Sequence, residues 1–65
     1  MESKELKKER RQLGLNQKEF AEYLRVPYQT YVSWELGRRR IPGMLELALV
    51  TVRAEIEKEK EGRND

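Results

Sequence analysis

Apolar residues recur along the chain at spacings of three and four, in four blocks separated by glycine, proline or asparagine, which predicts four helices and no strands. In the first block Ser3 is the expected N-cap and Glu5 falls in the first turn. Leu6, Arg10 and Leu13 share one face, and Gly14 ends the helix at about residues 3–13. Asn16 caps the second helix, about 17–24, with Glu19 three residues on nearly completing a capping box. Its inward face reads Phe20, Ala21 and Leu24. Pro27 disfavours helical geometry at Val26 yet suits a helix start, so a third helix begins there and runs over about 28–36. Tyr31 and Trp34 form its apolar side and Gly37 stops it. After Arg38-Arg39-Arg40 and Ile41-Pro42-Gly43, a last helix is expected over about 44–60, with the charged tail fraying from Glu57 to Asp65.

The fourth helix is apolar over more of its circumference than one packing face needs. Leu45, Ala48, Leu49, Val52 and Ile56 make one stripe, and Met44, Leu47 and Val50 lie beside it. Either the domain wraps both stripes into its core, or the second is exposed and serves as a surface for a twofold copy or another protein.

With 65 residues the chain has room for one domain and a core burying roughly 60% of the unfolded surface, too little for a large enclosed active site. No run of about 18 apolar residues is present to cross a membrane. The N-terminus, Met1-Glu2-Ser3-Lys4-Glu5, has no secretory apolar region, which gives a cytoplasmic expectation. The chain has no cysteine and no histidine, so disulfide staples and the usual zinc and iron ligand sets are excluded, and no metal or other cofactor is expected. Ser3 and Ser33 have no evident base, there is no glycine-rich phosphate loop, and no catalytic residue is assigned. Glu55 with Lys58 and Glu57 with Lys60 read as surface support for the helix.

The charge distribution changes the picture more than the net +2 does. Residues 1–43 carry ten Lys or Arg against six Glu, whereas residues 44–65 carry four against six acidic groups. The first part is therefore the one expected to meet a polyanion.

A short helix ending in Ala-x-x-Leu, a tight turn and a helix opening at Tyr28 form the supersecondary unit that sets its second helix in a major groove. Ala21 supplies the small residue needed where the two helices cross. In Arg10-Arg11-Gln12-Leu13-Gly14-Leu15-Asn16-Gln17, Phe20-Ala21-x-x-Leu24, Val26, Thr30-Tyr31, Trp34-Glu35-x-Gly37-Arg38 and Pro42, the chain resembles the phage-repressor-like (Cro/C1, XRE) helix-turn-helix family. The resemblance covers roughly residues 4–50. It implies an all-α, compact four-helix domain of the lambda-repressor-like type with a long C-terminal helix, residues 1–65 forming one DNA-binding domain.

By the same resemblance Gln17, helped by Asn16, bonds a DNA phosphate, a role that the positive end of the second helix favours. Tyr28, Gln29, Val32 and Ser33 lie on the side of the third helix opposite Tyr31 and Trp34. They are the expected base readers, with Gln29 suited to adenine N6 and N7 and Val32 to a thymine methyl. Thr30, Arg38 and Arg40 are expected on phosphates. The bland reading of that face is a solvated helix surface, and Asn16 serves equally as a cap alone. Arg10 and Glu35 match a partly buried salt bridge whose expected role is structural. Arg25 stands where the family commonly has glycine, which implies a locally different turn. Pro27 replaces the usual serine or threonine cap.

These readings point to a sequence-specific regulator of transcription, a repressor, that binds double-stranded DNA as a homodimer through helix four. The half-sites would lie one helical turn apart. The alternatives are an antitoxin whose last helix binds a toxin protein, and a protein-interaction module that keeps the fold without DNA binding.

Overall fold

In the computed structural model, which describes residues 1–62 with side chains through Lys60, the chain folds as α1 (Ser3–Gln12), α2 (Gln17–Leu24), α3 (Tyr28–Glu35) and α4 (Leu45–Gly62). No strand occurs among the described residues. Boundaries fall within a residue or two of those expected. Ser3 is the first helical residue instead of the cap: Glu2 holds the N-cap position in extended conformation, and no side chain caps α1. Asn16 does cap α2, and the box is complete. Its Oδ1 accepts from the Glu19 backbone N–H at 2.8 Å while Glu19 Oε1 accepts from the Asn16 N–H at 3.0 Å. Pro27 leads into α3 with no side-chain cap.

The first three helices end in the same way, with a left-handed residue and two reversed hydrogen bonds that satisfy the last carbonyls. After α1 the residue is Gly14 (φ 71°), with Gly14 N–H on Arg11 O and Leu15 N–H on Arg10 O. After α3 it is Gly37 (φ 75°), with Gly37 N–H on Trp34 O and Arg38 N–H on Ser33 O. At the end of α2 the position belongs to Arg25 (φ 59°), with Arg25 N–H on Glu22 O and Val26 N–H on Ala21 O. The expectation that arginine here changes the turn is therefore corrected. The two hydrogen bonds and the burial of α2 hold the geometry, and Arg25 takes the strained conformation.

The core joins all four helices: Leu6 from α1, Phe20 and Ala21 from α2, Tyr31 and Trp34 from α3, and Leu45, Leu49, Val52 and Ile56 from α4, with Ile41 sealing it from the loop. Tyr31 stands at its centre, edge-on to Phe20 (5.4 Å between centroids) and to Trp34 (6.3 Å). Ala21 is buried, and α2 packs against α3. Leu13, Leu15, Leu24 and Ala48 pack on the rim, half-buried.

Helix α4 buries one stripe and exposes the other. Leu49 and Val52 are each 2% exposed, whereas Met44, Leu47 and Val50 are 77%, 71% and 61% exposed. Met44 sits in the turn before α4. The Glu55–Lys58 and Glu57–Lys60 pairs do not close among the described residues. Arg53 instead forms an ion pair with Glu9 of α1, and Tyr23 of α2 donates to Glu59 at 2.7 Å. These links hold the outer half of α4 to the body. The segment from Glu57, expected to fray, is helical to Gly62; Arg63, Asn64 and Asp65 lie outside the described residues.

Candidate nucleic-acid interface

Helix α3 has eight residues, so its inward and outward positions are few and well separated. Tyr31, Trp34 and Glu35 are buried, which fixes the rotation of the helix. The side turned away from the core then carries Gln29, exposed, and Val32 and Ser33, both half-buried, with Tyr28, exposed, in the opening turn of the helix. These four line one shallow depression together with Leu36 and Arg38. The structure thus brings the expected base readers onto one surface and adds Leu36, which is 57% exposed. Sequence reasoning passed over Leu36, although Gln29, Val32, Ser33 and Leu36 follow the i, i+3, i+4, i+7 spacing of a single helical face.

The chemistry of this face is neutral and mixed. Gln29 offers a carbonyl and an amide for base edges. Val32 and Leu36 offer apolar contact. The Ser33 hydroxyl donates to the Gln29 carbonyl oxygen of its own helix at 2.9 Å, leaving its lone pairs to accept from outside. Positive charge lies at the edge: Arg38, Arg39 and Arg40 are all exposed in the loop that leaves α3, with Arg38 bordering the depression itself. Thr30 is half-buried on the flank of α3.

Behind this surface lies the most polar part of the interior. Glu35 is 3% exposed and accepts from three other side chains. Arg10 Nε reaches Oε2 at 2.8 Å, with a longer second contact from its terminal nitrogen at 3.5 Å. The Tyr31 hydroxyl donates to the same Oε2, and Gln17 Nε2 donates to Oε1 at 3.0 Å. Arg10 also donates to the Leu15 carbonyl at 3.1 Å, which pins the turn between α1 and α2. Burial alone would raise the pKa of the Glu35 carboxyl, but the hydrogen bonds from Arg10, Tyr31 and Gln17 outweigh it and hold the group below the ordinary carboxylate range. Burial, reinforced by the bond to Glu35, pushes the Tyr31 hydroxyl well above its ordinary value. The Arg10–Glu35 pair is in place, with more members than its sequence signature announced.

Gln17 gains a specific geometry from this cluster. A carboxylate only accepts, so the amide NH2 must face Glu35, and one of its two N–H bonds is spent there. The second remains for an outside acceptor beside the start of α2, where backbone N–H groups and the helix dipole already favour an anion. Asn16 is exposed next to it, its side-chain oxygen engaged by the cap.

A helix held at its back by a buried aromatic pair and an ion pair, packed against a second helix and bearing a polar outer face edged with arginine, defines a helix-turn-helix module. Residues 6–50 match the profile of the Helix-turn-helix family. The chain belongs to this family, of Cro/C1 (XRE) type, whose members are DNA-binding regulators. Neither the comparison with curated proteins nor that with solved structures gave a match. Among the described residues no helix is long and apolar enough to cross a membrane.

Proposed function

We propose that residues 1–65 act as one DNA-binding domain that recognises a specific duplex sequence with α3 in the major groove and represses transcription by occupying it. The observation that carries this reading is the outer face of α3, where Tyr28, Gln29, Val32 and Ser33 share one open surface bordered by Arg38. Gln29 is the principal reader, bidentate to adenine, with Val32 against a thymine methyl. Asn16, Gln17, Thr30, Arg38 and Arg40 hold phosphates and set the register. The protein has no enzymatic role and acts in the cytoplasm.

The exposed Met44, Leu47 and Val50 stripe supports a homodimer through α4, which would present two α3 helices to half-sites one turn apart, about 34–36 Å. The same stripe also suits an antitoxin that holds a toxin protein on α4 while α3 stays on DNA. Selection of bound sequences from a random duplex pool tests the main reading. The expected result is a palindromic consensus containing adenine at the Gln29 position; a pool that stays random after selection contradicts it and leaves the protein-interaction module.

A further inference from the structure

The outward side of α1 is basic without interruption. Lys4, Lys7, Lys8 and Arg11 line one shallow groove with Gln12. At 3.6 residues per turn these four cations fall within about 100° of the helix circumference. The acidic residues Glu5 and Glu9 lie beyond that arc, and Glu9 is turned to Arg53. Lys4, Lys8 and Arg11 are exposed and Lys7 is half-buried. None of the four side chains has an ion-pair or hydrogen-bond partner among the described residues. Like charges at these helical spacings repel, so the arrangement is a cost to the isolated helix, which only Arg11, in the last turn, offsets through the helix dipole.

The position of the stripe indicates its use. Arg11 lies in the last turn of α1, and the Gly14-Leu15 turn leads from there directly to Asn16 and Gln17. The stripe therefore starts beside the phosphate position at the head of α2 and runs back along α1. From Arg11 to Lys4 the helix rises about 10 Å, comparable to the axial span of about three phosphates on one strand at ~3.4 Å each.

We propose that the α1 face binds the phosphate row of the same duplex, outside the segment read by α3, and so lengthens the footprint on the flank. This rests on the DNA-binding reading above and adds a second contact surface to it.

The test uses the full chain and two duplexes that share the selected core, one ending at the core and one extended by about ten base pairs on each side, roughly one helical turn. Affinity is measured over a series of salt concentrations for the wild type and for a variant carrying Lys4→Gln, Lys7→Gln, Lys8→Gln and Arg11→Gln. Glutamine keeps helix propensity, and circular dichroism checks the fold. The wild type is expected to bind the extended duplex more tightly, with a log-affinity against log-salt slope steeper by about two to three. The variant should match the wild type on the short duplex and gain nothing from extension. Replacing the three lysines by arginine should restore the gain. Equal slopes for the wild type on both duplexes overturn the proposal, as does capture of a second short duplex by one protein in sedimentation. Failure of the wild type to bind either duplex would overturn the DNA-binding reading itself, and this inference with it.

Discussion

Gln17 and Glu35, distant in sequence, are joined by a 3.0 Å hydrogen bond in which the amide donates to a buried carboxylate. The first residue of α2 is thereby tied to the last residue of α3. Under the proposed reading these are the two helices that meet DNA together, and the bond locks them to one another at the proposed phosphate contact.

Removing that contact without touching charge gives a distinctive result. Gln17→Ala should weaken binding to every duplex by a common factor, on the order of tenfold for a hydrogen bond worth ~1–1.5 kcal/mol. The salt dependence should not change, because a neutral amide displaces no counterion. A titration of several unrelated duplexes at two salt concentrations checks both parts.

Arg10→Ala leaves Glu35 buried with its charge uncompensated, and breaking such a pair costs about 3–5 kcal/mol. A 65-residue domain has little stability in reserve, so the variant should be largely unfolded at room temperature. Chemical denaturation followed by circular dichroism measures the loss; a change below about 1 kcal/mol would place the pair among weak surface bridges.

The same cluster sets the pH range of the fold. The folded pKa of Glu35 is depressed, so its contribution is complete above the ordinary carboxylate pKa of about 4.3 and is lost as pH falls through the lower folded value. The folded pKa of Tyr31 is raised, so its contribution is complete below about pH 10 and is lost as pH climbs above that. Thermal melts should show an acid limb below about pH 4 and an alkaline limb above about pH 10. Tyr31→Phe should flatten the alkaline limb and, because Glu35 loses one of its three donors, also shrink the acid limb without abolishing it.

Much of this was legible in the sequence wherever the signal is local. Gly14, Gly37, Asn16 with Glu19, and the Tyr31–Trp34 spacing each report on a turn or a face within a few residues, and each appears in the fold as read. Ser3 misled because a serine near a helix start is a common cap, whereas Glu2 takes that place. The Arg10–Glu35 pair came from family resemblance alone. Gln17, Tyr31 and Glu59 carry no local mark of their partners, because hydrogen bonds such as Tyr23 to Glu59 depend on how the helices pack and on no periodicity within either. The exposed α4 stripe was visible as a pattern, but whether the domain would bury it was decided by the core, which Leu45, Leu49, Val52 and Ile56 already fill from α4.

Arg25 offers a stabilising change. A left-handed arginine costs about 1–2 kcal/mol, and glycine returns roughly half of that relief as lost chain entropy. Arg25→Gly should therefore raise stability by about 0.5–1 kcal/mol, seen as a higher melting temperature. Arg25→Val should lower it.

If α4 forms the dimer, a charge at its centre should dissolve it and spare the fold. Leu47 is 71% exposed, so Leu47→Glu removes no core contact. Sedimentation equilibrium should find a monomer with unchanged helicity, and binding to a palindromic site should fall much more than binding to a single half-site.

The division of labour on the DNA face is tested most directly by measuring Gln29→Ala and Arg38→Ala against the selected site and all its single-base variants. Gln29→Ala should abolish the preference at one base position, a discrimination of about 1–3 kcal/mol, and leave the other positions alone. Arg38→Ala should weaken all sequences alike and reduce the salt slope by about one. Equal losses on every sequence for both variants would contradict α3 as the reading helix.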